Sequence, residues 1–268
     1  MVAKGAVTAG AARVRDAGGW RSVAAAPLSG LWSLALLVVL WDLYVRAHGF
    51  NVIVLPDPLT VAKAIGADWQ TYLEKLGLTM WAAIVGLLSG ALLGTVVAIV
   101  AWSSRLASGI VGPLAMSVRT IPFIVFIPIL SRLMGYNVKM EIVVVTMLSF
   151  FPSFVLVSSG LTGLPLAASD VARVFGATRW RKLLLIALPA ALPKLFTSIR
   201  LSASRAVLGA MVAEFLTGLD GLGRLFLLAR GDLEAERALA AAVVAAAAAL
   251  VLFHLAEWAE RYVNRRMA

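Results

Sequence analysis

Apolar residues fall along this chain in six blocks, each about as long as a helix needs to cross the hydrocarbon core of a bilayer, roughly twenty residues. They cover 28–47, 78–102, 106–130, 142–161, 195–219 and 238–256, with polar or charged stretches between them. A backbone in lipid must satisfy its own hydrogen bonds, so the pattern predicts an all-α integral membrane protein with about six transmembrane helices. Residues 1–26 are Ala/Gly-rich with scattered basic residues and no apolar period. They read as an arm ahead of a membrane domain spanning 27–268.

Between the first two blocks the pattern becomes amphipathic. Leu55-Pro-Asp-Pro58 has the form of a helix start, with Asp57 placed to cap and Pro58 at the first helical position. Leu59, Ala62, Ile65, Trp69, Leu73 and Leu76 then recur at helical spacing. The segment 55–77 therefore reads either as a helix lying on the outer interface or as a solvated linker helix.

Several blocks carry internal marks. Gly86, Gly90 and Gly94 form a stripe in the second, extended by Ala82 and Ala98. Such a stripe admits close approach of another helix, from the same chain or from a second copy. Pro113, Pro122 and Pro128 interrupt the third block and predict a kinked helix sheltered from lipid, where a pathway is most readily built. Ser149, Phe150, Phe151, Pro152 and Ser153 break the fourth with polar and aromatic groups, and Ser149 and Phe150 are pathway candidates with Pro122. Charges within blocks are expensive in lipid, so Asp42, Arg119, Arg200, Arg205 and Glu214 should face protein, water or an interface. Arg119 and Glu214 either pair with one another or line the pathway, whereas snorkelling to the membrane surface is expected for Arg200.

Charge then orients the chain. Only 14% of residues are charged, against about 25% in soluble domains, which excludes a soluble protein. The net charge of +10 does not mark a nucleic-acid surface, because the basic residues are sorted by side. Lys4, Arg13, Arg15, Arg21, Arg105, Arg173, Arg179, Arg181, Lys182, Lys194, Arg261, Arg265 and Arg266 share one side, and most acids lie on the other. Cytoplasmic enrichment of Lys and Arg puts both termini and the 165–194 loop in the cytoplasm, against anionic lipid headgroups. The first block ends in Trp-Asp-Leu-Tyr (41–44) without a small-residue cleavage pattern, so it reads as an uncleaved helix rather than a signal peptide. Cysteine is absent, which removes disulfide and thiolate chemistry. His48 and His254 lack partners at metal spacing, so no metal site is expected. No Gly-Lys-Ser/Thr phosphate loop occurs, so the chain should bind no nucleotide itself.

The 165–194 stretch is too long for an ordinary connection between membrane helices and has its own helical pattern. Asp170-Val-Ala172-Arg173-Val-Phe-Gly176 is followed by nine residues and then Ile186-Ala-Leu188-Pro189. Gly176 should end one short helix, and a second, with Arg179 and Trp180 at its start, should end at Pro189. This spacing resembles the E-A-A-x3-G-x9-I-x-L-P signature of ABC importer permeases, with Asp170 and Val171 replacing the first two residues. The flanks, Gly-Ala-Thr-Arg-Trp-Arg (176–181), Arg119-Thr-Ile-Pro122, Ala213-Glu-Phe-Leu216 and Gly221-Leu-Gly223, resemble the nitrate, sulfonate and taurine subgroup over roughly residues 30–262.

The resemblance implies the type I ABC importer permease fold, with the loop forming cytoplasmic coupling helices in a bacterial cytoplasmic membrane. It implies two copies of an ATPase subunit that bind the ATP and magnesium, a second permease copy as a homodimer, and a periplasmic or lipid-anchored substrate-binding protein. Asp170, Ala172, Arg173, Gly176, Arg179, Trp180, Ile186, Leu188 and Pro189 would carry the coupling. The favoured cargo would be a small organic or inorganic anion such as a sulfonate, taurine or nitrate, with thiamine-precursor or other aromatic solutes left open. The competing reading, an ion-coupled secondary transporter, would need more embedded carboxylates and a repeated half. A membrane enzyme would need a cluster of catalytic groups that the chain lacks.

Overall fold

Long runs of Leu, Val, Ile and Ala with few breakers give long helices, and breaks come where proline or glycine stands. The computed structural model describes residues 21–164 and 174–267, with the backbone alone for 21–31, 105 and 114–120. In chain order the helices are α1 (Arg21–His48), α2 (Pro58–Ala67), α3 (Trp69–Ser103), α4 (Arg105–Thr120), α5 (Phe126–Met134), α6 (Val138–Thr162), α7 (Arg179–Thr217), α8 (Leu222–Gly231) and α9 (Ala235–Met267). No strand occurs among the described residues.

The helix α1 belongs to a compact unit ending at Phe50 and covers the first expected crossing. Trp32, Leu36, Leu37, Val39 and Leu43 along it are exposed, as a lipid-facing helix requires. Asp42 is paired with Arg46 one turn later, at 2.7 Å. At its end the rings of Tyr44, His48 and Phe50 cluster, with His48 and Phe50 stacked at 5.4 Å.

The second unit, residues 51–268, is built on α3, α6 and α7, with α9 against α7. Four of its helices, α3, α6, α7 and α9, are long and apolar enough to cross a membrane, and they match the second, fourth, fifth and sixth expected blocks. The glycine stripe of α3 meets α6 of the same chain. A Cβ on Gly86 would stand 2.5 Å from the Val145 Cβ, one on Gly90 would stand 2.6 Å from the Thr146 carbonyl oxygen, and one on Gly94 would stand 2.7 Å from that of Phe150. The stripe is therefore a seam within the subunit. On α7, buried Ser198, Ser202, Ala203, Ala206, Ala210 and Ala213 continue the small-residue packing. The Ser153 and Ser198 hydroxyls share a hydrogen bond of 3.0 Å between α6 and α7.

Three expectations need correction. The third block is not one kinked crossing. It is α4, a break at Ile121–Pro122, a 3-10 turn at Phe123–Val125, and α5. Proline offers no N–H and pushes the preceding residue out of the helical region, so the break falls at Pro122, while Pro113 is carried inside α4. The amphipathic 55–77 segment is likewise divided. Its first part is α2, and from Trp69 onward it is the foot of α3. Finally, Pro189 does not end a loop helix. Residues Arg179 to Thr217 form one helix, so the second half of the expected 165–194 loop is the base of a crossing.

Candidate functional site

Two regions hold the candidate residues: the basic end of α7 with the turn before it, and the interior of the α3–α6–α7 core. In the first, Asp170, Ala172 and Arg173 lie outside the described residues. Gly176 has φ +63, and a Cβ there would meet nothing within 4 Å. The left-handed backbone, not crowding, is what calls for glycine. Thr178 caps the helix that follows by accepting the Arg181 N–H.

Arg179 turns back on the protein. Its Nη1 donates to the Ser103 carbonyl at 2.7 Å, satisfying one of the acceptors left open at the C-terminus of α3. Trp180 points outward and is 66% exposed, and Val174 and Phe175 on the other side of the glycine turn are 84% and 83% exposed. The turn thus holds three large apolar side chains away from the body, beside the exposed Arg181. Ile186 and Leu188 are partly buried in a π-helical stretch, Leu183–Ala187, where the Leu188 N–H reaches the Leu183 carbonyl. Pro189 accounts for the widening: it has no N–H for the Leu185 carbonyl, and its ring would crowd that oxygen in a regular turn.

In the interior, Glu214 lies near the C-terminal end of α7 and is completely buried. Its Oε2 accepts the Gly223 N–H at 2.7 Å and the Thr79 hydroxyl at 3.0 Å, and the Thr79 oxygen accepts the Leu222 N–H. The carboxyl thus secures the start of α8 to α7 and α3. Gly221 and Gly223 permit it: a Cβ on Gly221 would stand 2.1 Å from Glu214 Oε1, and one on Gly223 would stand 2.1 Å from the Met211 carbonyl oxygen. Glu141, in the first turn of α6, is also buried and faces Glu214. The described hydrogen-bond partners of Glu214 are therefore Thr79 and Gly223, with Glu141 facing it, while the side chain of Arg119 lies outside what is described.

Ser149 is wholly buried where α6 crosses Gly90, and Phe150 stacks on Phe154 at 6.1 Å beside α3. Neither lines the open side of α6. That side carries Phe151 and Pro152, which with Pro122, Phe123, Phe126, Met147 and Arg205 border a groove of about 290 Å³. Of the pathway candidates whose side chains are described, Pro122 alone reaches this groove. Arg205 was legible as a charge within a crossing, but its neighbours from α5 and α6 were not. Arg200 does not snorkel: it pairs with Glu260 at 3.0 Å and lies 3.9 Å from Glu257, both on α9. Among the described residues no group of His, Cys, Asp and Glu could hold a metal.

The family model described as binding-protein-dependent transport system inner membrane component matches residues 86–268. A probable ABC transporter permease of Haemophilus influenzae is 27% identical, covering 86% of this chain and 94% of its own. A riboflavin transport permease of Chloroflexus aurantiacus is 28% identical over 87% and 88%, and a putative aliphatic sulfonates permease of Bacillus subtilis is 26% identical over 81% and 79%. In fold, the chain is similar to an inward-facing MetNI methionine ABC transporter, with a TM-score of 0.62 at 19% identity over 75% of this chain and 97% of that one. With a matched model across most of the helical core, the chain belongs to the binding-protein-dependent transport system inner membrane component family, the permease subunits of ABC importers.

Proposed function

We propose that this chain forms the pathway of an ATP-driven importer for a small anion and couples it to a separate ATPase subunit through residues 165–189. One observation carries the coupling: Val174, Phe175 and Trp180 stand exposed on a turn that Gly176 shapes and that Arg179 ties to the end of α3. Exposed apolar groups beside basic ones suit a protein partner better than lipid headgroups alone. On this reading both termini and the turn are cytoplasmic, consistent with the distribution of Lys and Arg. Two permease copies, two ATPase subunits holding ATP and magnesium, and an external binding protein complete the assembly. An aliphatic sulfonate is the cargo class favoured by the sequence resemblance.

The test is Gly176→Val. A β-branched residue forced into a left-handed turn costs roughly 1–3 kcal/mol, enough to reshape an exposed bend without unfolding the crossings. ATP-driven uptake should fall at least tenfold and co-purification of the ATPase should weaken, with membrane insertion unchanged. Normal uptake by this variant would remove the coupling assignment.

A further inference from the structure

Arg205 sits on α7 twelve residues before its end at Thr217, about 18 Å along the helix and so near the middle of a roughly 30 Å hydrocarbon layer. It is exposed, and no hydrogen bond, ion pair or ring contact holds it among the described residues. A guanidinium at that depth cannot face acyl chains at acceptable cost, so it faces protein or water. No described carboxylate pairs with Arg205: Asp42 meets Arg46, Glu74 meets Lys75, Glu214 holds the start of α8 with Glu141 facing it, and Glu257 and Glu260 meet Arg200. A second copy of this chain would bring the same acids, of which Asp42, Glu257 and Glu260 are already ion-paired and Glu214 holds the α8 turn.

The wall beside Arg205 is apolar and aromatic. Phe123, Phe126, Met147, Phe151 and Pro152 border the groove, whose volume of about 290 Å³ is at the low end for small-molecule sites. A single cation among the described lining residues, on a wall of rings, suits a ligand with a charged head and an apolar body, whereas nitrate or bicarbonate would leave the rings unused. Resting on the reading of this chain as a pathway subunit, we propose that the Arg205 groove is its solute-contact site and takes a small organic anion. The anionic head meets the guanidinium, and the hydrocarbon part lies on the α5 and α6 rings.

The chain has no cysteine, so single thiols can probe the groove in the assembled importer in lipid nanodiscs. Met147→Cys, with Phe151→Cys as a second position, is labelled with an anionic sulfonatoethyl methanethiosulfonate and with its cationic trimethylammonium counterpart. With Arg205 present the anionic reagent should react faster by on the order of tenfold, and Arg205→Gln should bring the ratio back towards one. Butanesulfonate should slow the labelling more than nitrate at equal concentration. Three results would each overturn the proposal: both thiols inert to water-borne reagents, labelling ratios indifferent to Arg205, or equal slowing by the two anions. A Met147→Cys disulfide between two permease copies would also overturn it, by making a second copy the occupant. Loss of the ATPase from the unmodified complex would instead count against the function proposed above, so the two failures are told apart.

Discussion

The partners of Glu214 lie 135 and 9 positions away, Thr79 on one helix and Gly223 at the start of another. No linear pattern announces that arrangement, so an acid inside an apolar block read equally well as pathway lining. Removing it tests the structural role. In Glu214→Ala the Thr79 hydroxyl and the Gly223 N–H lose a buried acceptor, at about 1–3 kcal/mol each. Thermal unfolding in detergent should move down by several degrees, and Glu214→Gln, which keeps an acceptor and the volume, should lose much less. An alanine variant as stable as the parent but slow in uptake would return Glu214 to the pathway. Gly176 was the better-marked residue, because a glycine closing a short helical pattern has few other uses, and its φ of +63 agrees. Arg179 was legible as a member of the motif, yet its tie to Ser103 depends on where α3 ends, which hydropathy locates only loosely.

Hydropathy located the long helices well and their interruptions less well. The blocks behind α3, α6, α7 and α9 were visible as runs of apolar residues, whereas Pro189 looked like a stop and is instead absorbed by a π-helical turn. The same residue type divides the third block at Pro122, because there α4 ends and a 3-10 turn begins. A proline fixes a local defect, and the surrounding packing decides whether the helix stops or accommodates it. The α3–α6 seam permits a direct check. Gly90→Ala would put a methyl 2.6 Å from a backbone oxygen that cannot rotate away, so overpacking of about 1–3 kcal/mol is expected. Gly77→Ala, in the same helix with nothing within 4 Å, should be neutral or stabilising by up to about 1 kcal/mol. Paired melting curves would show it, and equal behaviour of the two variants would mean the seam is looser than described.

For the whole molecule, the choice lies between a subunit driven from outside and a self-powered carrier. Asp42 and Glu260 are ion-paired and Glu214 is held by the Gly223 N–H and the Thr79 hydroxyl, and the family match favours the driven subunit. Uptake should therefore stop when the partner ATPase is inactivated and persist when the proton gradient is collapsed at constant ATP. The reverse outcome would favour the ion-coupled carrier. Charge sorting, composition and the loop spacing made the class readable. The solute stayed unreadable, since the groove is assembled from the break before α5 and from α5, α6 and α7, with residues up to 84 positions apart along the sequence, from Ile121 to Arg205.

The unbroken run from Arg179 to Thr217 makes α7 a lever. Its 39 residues extend for about 58 Å, well beyond the thickness of the hydrocarbon layer. A tilt of about ten degrees imposed at the Arg179 end would sweep the Thr217 end sideways by roughly 10 Å at that length. A push received on the basic side would then reach the opposite mouth as a stroke, with no bond in the crossing needing to break. The wide turn at 183–187 and the interior Pro193 are the slack joints in the shaft, and their stiffness would set how much of the push arrives.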